Sequence, residues 1–262
     1  MLINTVLLFL QNVLPIFIIT TLLLLRFSSI SISNINIKWL AFSLLFVTFS
    51  AFTLSKVLED ISQIADGRGI ELLLSSGFLL VYISSIGLFI LNNIQRTTFL
   101  KVVLALIIFF VISCLNGAHF IVYLTGYWAK AQQVESMFIG IILGGGVSLS
   151  ISILFYFLLK YTDQNIHSNT SNYFLLFFTI GQLIHAVALL QQVDLLPSSQ
   201  PIWDSGKLIT ENSELGQLLT VLFGYETTPS PLQLITYAVA LIIPVIIGHY
   251  KTILLLLRGE RS

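Results

Sequence analysis

Between Val102 and Leu124 the chain runs without a single charged side chain, and comparable apolar runs recur about seven times along its length. A helix crosses the hydrocarbon core of a bilayer with roughly 20 predominantly apolar residues, because each residue rises only about 1.5 Å. Helical geometry is also what satisfies every backbone polar group within such a segment. The runs lie at Ile3 to Leu25, Trp39 to Leu54, Leu72 to Leu91, Val102 to Leu124, Met137 to Leu159, Tyr173 to Leu190 and Leu232 to Leu256. With 56% hydrophobic and 9% charged residues in 262, too little polar surface remains to clothe a soluble globule. The expectation is an all-α integral membrane protein of about seven transmembrane helices, folded as one polytopic domain over residues 1–262. The first run has no basic residue before Arg26 and outlasts a signal core, so it is expected to stay in the mature protein. Cys114 is the only cysteine and falls within the fourth run, which excludes an intrachain disulfide.

Short basic loops stay on the cytoplasmic side, which orients the chain. With the N-terminus outside and the C-terminus inside, Arg26, Lys38, Arg96, Lys101, Lys160, Lys251, Arg258 and Arg261 fall on the inner side, eight of the 12 basic residues. Lys56, Arg68, Lys130 and Lys207 fall outside. Most acids, among them Glu71, Glu211 and Glu226, also fall outside, giving a negative outer face that either gathers cations or consists of solvated loop charges.

Polar residues interrupt the first and fourth runs at one register: Gln11-Asn12-Val13-Leu14-Pro15 against Leu115-Asn116-Gly117-Ala118-His119. If residues 1–92 and 99–192 are three-helix repeats, an odd number of crossings inverts the second copy. That gives an inverted 3+3 repeat, followed by an outer loop at 193–230 and a last helix at 231–257. In such a design the substrate site lies where the repeats meet, near the bilayer midplane.

Several stretches carry a more specific pattern. The outer region reads Asp194-Leu-Leu-Pro197, Ile202-Trp203-Asp204-Ser205, Glu211-Asn212-Ser213, Gly216-Gln217-Leu218-Leu219, Leu222-Phe223-Gly224-Tyr225-Glu226 and Pro229-Ser230-Pro231. The run Ile121-Val122-Tyr123-Leu124-Thr125-Gly126, the glycines at 140 and 144 to 146, and Asp66-Gly67-Arg68-Gly69-Ile70-Glu71 join it. Together these resemble the oxidase-dependent, high-affinity iron permease family over nearly the whole chain. The resemblance implies seven spans with an external N-terminus, a bacterial inner (plasma) membrane, iron transport, and an outer-face iron-handling protein or related permease subunit as partner beside the lipid.

The family carries an Arg-Glu-x-x-Glu motif in each of its first and fourth spans, and here both arginines and all four glutamates are replaced. Fe(III) is a hard ion that favours carboxylate oxygen, and neutral amides and an imidazole do not cancel three positive charges. Asn12 and Asn116 keep oxygen acceptors at the first glutamate positions. His119 stands three residues after Asn116, on the same helical face. His119 and His185 are candidate imidazole ligands for a softer divalent ion such as Zn(II) or Fe(II), or members of a proton relay; the alternative is an interhelical hydrogen bond for each. Pro15 removes a backbone donor and is expected to kink or locally unwind its helix. Glu71 opens the third span as either a vestibule ligand or a helix-dipole partner. The transport-path candidates are therefore Gln11, Asn12, Pro15, Asn116, His119, Glu71 and His185, with His119, Asn116 and Glu71 as metal contacts. Gly140 and Gly144 read as a packing surface for a neighbouring helix.

Within the outer loop, Leu215, Leu218, Leu219, Leu222 and Phe223 recur at helical spacing, with Asn212 or Ser213 placed to cap the start and Gly224 to end it. This predicts an amphipathic helix lying on the bundle or at the bilayer surface, with Trp203 and Tyr225 suited to the interface. No phosphate loop, paired catalytic carboxylates, zinc-ligand spacing or basic nucleic-acid patch is present, so neither an enzyme nor a nucleic-acid binder is expected, and no cofactor beyond iron or another divalent cation as substrate. Two functions follow: a cation transporter with an altered site, or a non-transporting pseudo-permease that assembles with or regulates an active one.

Overall fold

The structure is a computed structural model and describes residues 2–28, 37–91, 97–128, 134–166, 170–211 and 213–257. The described residues form eight helices and no strands: α1 (Leu2–Ser28), α2 (Ile37–Ser62), α3 (Gly69–Leu91), α4 (Thr98–Trp128), α5 (Val134–Asn165), α6 (Thr170–Gln192), α7 (Glu214–Phe223) and α8 (Pro231–Leu257). Every predicted apolar run falls inside one of these helices, and the amphipathic stretch is α7. Among the described residues five helices are long and apolar enough to cross a membrane: α1, α3, α4, α5 and α6. The chain is a helical membrane protein. The side chains of Lys38, Arg96, Lys130, Lys251, Arg258 and Arg261, used above to orient it, lie outside the described ones, as does Asn212.

The helix contacts form a paired pattern. α1 packs on α5 and α4 on α2; α1 also meets α4, and α3 meets α6. In lipid there is no hydrophobic gain in bringing two apolar helices together, so these contacts rest on close packing and interhelical hydrogen bonds. Gly144 shows the first of these. A Cβ there would stand 2.7 Å from the Phe9 Cβ, so α1 and α5 approach as closely as they do only because α5 is bare at that point. The second joins α3 to its neighbours. Ser85 and Thr179 share a hydrogen bond of 2.7 Å, and Ser75 donates to the Ala186 carbonyl at 3.2 Å.

α8 is tied in through a proline. Pro244 has no N–H, which deprives the Ala240 carbonyl of its intrahelical donor. The Tyr82 hydroxyl of α3 supplies the missing bond at 2.8 Å, with both residues buried.

The packed core lies along α1, α3, α4 and α6, with Ile18, Ile19, Leu22, Val81, Leu88, Ile108, Ile112 and Phe178 almost fully enclosed. At one end of this core α1 finishes with Arg26, which is buried. Its guanidinium donates to Asn172 Oδ1 at the start of α6 and to the Leu88 carbonyl in the last turn of α3. The α3 carbonyl is one of those a helix end leaves open, so a cation there satisfies backbone and complements the dipole together. The other end of the core opens into a cavity.

α7 begins and ends as the sequence indicates. Ser213 accepts from Gly216 N at 3.0 Å as the N-cap, and Gly224 adopts φ 68° as a left-handed C-cap. Leu222 is buried against the bundle, whereas Leu215 is exposed.

Candidate functional site

α1, α3, α4, α6 and α7, with the segment after α7, enclose a cavity of about 250 Å³. Six of the seven residues singled out as a transport path line it: Gln11, Asn12 and Pro15 from α1, Asn116 and His119 from α4, and His185 from α6.

The helices place these groups by regular spacing. Asn116 and His119 are one turn apart on α4, and Gln182 and His185 repeat the same amide-x-x-His spacing on α6. On α1 the equivalent pair is Asn12 and Pro15. Asn12 Nδ2 donates to the Leu8 carbonyl and Asn116 Nδ2 to the Ile112 carbonyl, each at 2.9 Å. Each amide is thus held by its own helix, and its oxygen remains an acceptor without a protein donor among the described residues. His185 sits deep among the helices, packed against the Phe78 ring at 5.7 Å between centroids, yet its imidazole is open to the cavity. The two histidines are near enough to interact electrostatically.

Two cavity-lining residues carry buried polar atoms with no hydrogen-bond partner, Nε2 of His119 and Oε1 of Gln217. A buried polar atom left without a partner costs about 1 to 3 kcal/mol, so two on one cavity mark a place where the fold does not complete its own hydrogen bonding.

Pro15 does not unwind its helix: α1 is unbroken through this position. Pro15 is buried within the bundle. The lost N–H still frees the Gln11 carbonyl, and among the described residues no side chain takes that donor's place.

Glu71 is not among the residues that line the cavity. It lies in the first turn of α3, where a carboxylate complements the helix dipole, and its Oε2 is buried without a hydrogen-bond partner.

The carboxylate that does reach the cavity is Glu226, which sequence reasoning had counted only among the outer-loop acids. It is delivered by the turn after α7. Gly224 lies against Gly181 of α6 so closely that a Cβ on Gly181 would stand 2.6 Å from Gly224 N. This contact sets Tyr225 and Glu226 on the cavity wall. Burial raises the Glu226 carboxyl above the ordinary carboxylate range; a hydrogen bond from Gln233 opposes the rise and the nearby Glu211 carboxylate adds to it. The signal for Gln182 was legible in its repeat of the Asn116 to His119 spacing. That for Glu226 was not, because it depends on two glycines meeting across the fold.

No Lys or Arg lines this cavity, and among the described residues no three His, Cys, Asp or Glu side chains converge closely enough to ligate one metal ion directly. The arrangement offers amide oxygens, two imidazoles and one carboxylate around a space with room for water. Comparison with family models, with curated proteins and with solved structures finds no match for this chain.

Proposed function

We propose that this protein is a membrane transporter that passes iron or another metal cation through the cavity between α1, α4 and α6. The observation that carries the reading is that cavity: polar groups from three membrane helices meet around one space walled by a carboxylate and by no Lys or Arg side chain. The resemblance of the outer-loop and glycine-rich stretches to the oxidase-dependent iron permeases supports the same class. Within this proposal α2 and α8 complete seven spans, the N-terminus lies outside a bacterial inner membrane, and α1 to α3 and α4 to α6 are inverted repeats. The contact pattern supports the repeat. Exchanging α1 with α4, α2 with α5 and α3 with α6 turns the α1 to α5 contact into the α4 to α2 contact, and α2 to α3 into α5 to α6.

A second reading rests on the missing motif glutamates and on the absence of a converging metal-ligand triad among the described residues. On that reading the chain is a non-transporting partner of an active permease. Uptake into proteoliposomes holding this protein alone separates the two, with Fe(III), Fe(II), Zn(II) and Mn(II) offered and an Asn116→Ala, His119→Ala double variant as control. The transporter reading expects uptake that the double variant abolishes. No uptake of any ion by folded protein sinks it and leaves the partner role.

A further inference from the structure

The acids of the outer loop divide by what they hold. Glu211 Oε1 accepts from Thr227 N at 2.6 Å and from the Thr227 hydroxyl at 2.7 Å, so it fastens the loop across itself. Asp204 Oδ1 accepts from Gly206 N at 2.8 Å, a local turn. Both carboxylates are engaged by the fold that carries them.

Glu226 is held differently. Among the described residues its one side-chain partner is Gln233, a neutral amide. Gln233 is in turn fixed, because Ser230 N donates to its Oε1 at 2.7 Å and Gln233 N donates to Ser230 Oγ at 3.3 Å. Ser230 Oγ then donates to Gln191 Oε1 at 3.1 Å, and Gln191 Nε2 to the Pro197 carbonyl at 2.9 Å. This chain of bonds holds the donor to Glu226 steady without supplying it any positive charge.

Glu226 also has open space on two sides. One is the central cavity; the other is a space of about 260 Å³ walled by Ile184, Trp203, Phe223, Leu234 and Tyr237 among others. An ionised carboxylate is poorly solvated by apolar and aromatic walls and well solvated by amides, imidazoles and water, so its charge is directed to the central cavity. There the buried Nε2 of His119 and Oε1 of Gln217 also lack partners.

We infer that Glu226 is the single anionic contact for a divalent transition-metal ion held in the central cavity with much of its water shell, and that the imidazoles of His119 and His185 select it over Fe(III). This rests on the transporter reading for its biological meaning but not for its test. Three features set the ligand class. The one carboxylate on the cavity wall offsets only part of a trivalent charge, whereas a divalent ion is left with a single excess positive charge that imidazole and amide dipoles stabilise. Imidazole suits borderline ions such as Zn(II), Co(II) and Fe(II). A water molecule takes about 30 Å³ of liquid volume, so the cavity holds an ion with several waters, which agrees with ligands too dispersed to close directly on a bare ion.

The test is titration of the detergent-purified full chain with Co(II), and with Ga(III) as a trivalent probe that undergoes no redox change, followed by calorimetry and by the visible spectrum of bound Co(II). Wild type is expected to bind Co(II) and to bind Ga(III) at least tenfold more weakly. Glu226→Gln, which keeps the shape of the side chain, should weaken Co(II) at least tenfold. Glu211→Gln should lower thermal stability while leaving Co(II) affinity within about twofold, which separates loss of the loop's fastening from loss of the ligand. Unchanged Co(II) affinity in Glu226→Gln, Ga(III) bound as tightly as Co(II), or no Co(II) binding by folded wild type each overturns the inference. Uptake of a divalent ion into proteoliposomes that Glu226→Gln leaves intact overturns it while preserving the transporter reading. Binding without uptake does the reverse.

Discussion

Along α1, Asn12 and Pro15 occupy one half and Arg26 the other, and the two halves bury polar groups on different terms. At the Arg26 end both terminal nitrogens of the guanidinium meet acceptors on other helices: Asn172 Oδ1 from α6 and the Leu88 carbonyl from α3. At the cavity end, among the described residues, the Asn12 and Asn116 amides are tied only to their own helices, and His119 Nε2 and Gln217 Oε1 have no hydrogen-bond partner. The two prolines repeat the contrast. The carbonyl freed by Pro244 is taken by Tyr82, while the carbonyl freed by Pro15 has no side-chain replacement among the described residues. Where the chain supplies the partner, a buried polar group fixes structure. Where it does not, the group is available to a ligand.

The contrast breaks most severely if the cap that carries Glu226 is lifted from the bundle. Gly224→Ala must place a side chain at φ 68° with its Cβ 2.6 Å from Gly181 Cα. Left-handed strain and overpacking together are expected to cost about 3 kcal/mol. Thermal unfolding in detergent should show this as a lowered midpoint, accompanied by loss of Co(II) binding. A variant as stable as wild type that still binds Co(II) would show that the glycine contact does not position the carboxylate.

Arg26→Met tests the sealed end. It leaves Asn172 Oδ1 and the Leu88 carbonyl without their donor, and the expected loss is about 2 kcal/mol, with Co(II) affinity unchanged. An equal loss of affinity would mean that the two ends are not separable.

Tyr82→Phe probes the same principle on a smaller scale, with an expected loss of about 1 kcal/mol. Pro244→Ala restores the N–H that the Ala240 carbonyl lacks. In a double-mutant cycle the Tyr82→Phe penalty should therefore shrink toward zero in the Pro244→Ala background. An undiminished penalty would mean that the hydroxyl serves something other than the freed carbonyl.

At the cavity end the same kind of change should hardly touch the fold. Asn116→Leu removes only an amide bonded to its own helix, so stability is expected to stay within about 0.5 kcal/mol of wild type while cation uptake falls. A large loss of stability would make Asn116 a structural residue and move the cavity end into the class of the sealed one.

How much of this was legible in the sequence follows from the range of the interactions. The helices were, because an apolar run of about 20 residues is a local property of the chain. Ser213 and Gly224 were legible as the limits of α7 for the same reason, since caps act within a turn. Six cavity residues were found because they interrupt apolar helices, where any polar side chain must be explained. Between its two readings Glu71 was not decided by sequence, because a helix-terminal acid looks the same whether it faces a site or a dipole. Glu226 was overlooked because its position depends on Gly181, some forty residues earlier, and on a brace running through Gln233, Ser230 and Gln191. The exposure of Leu215 was not legible, because spacing fixes a helical face without fixing how much of it a neighbour covers.

The smallest expected effect is a pH dependence, and it sharpens the comparison because only the cavity end should show it. The folded Glu226 carboxyl titrates above the ordinary value of about 4.3, through burial first. In the window between that ordinary value and the raised one, the unfolded chain has lost the proton and the folded chain keeps it. Stability from this group is therefore full below the window and declines as pH rises through it. The charged or titratable groups around Glu226 are Glu211 and Tyr225 in the loop, His185 on α6, His119 on α4 and Tyr237 on α8. Their shared contributions cancel when wild type is compared with Glu226→Gln. Without added metal, the wild-type midpoint should drop relative to the variant as pH rises through the window. With Co(II) present the trend should reverse, because the ionised carboxylate gains its missing counter-charge and the variant does not. Parallel curves under both conditions would mean that Glu226 is satisfied within the chain, which would place it with Arg26 rather than with the open half of the cavity.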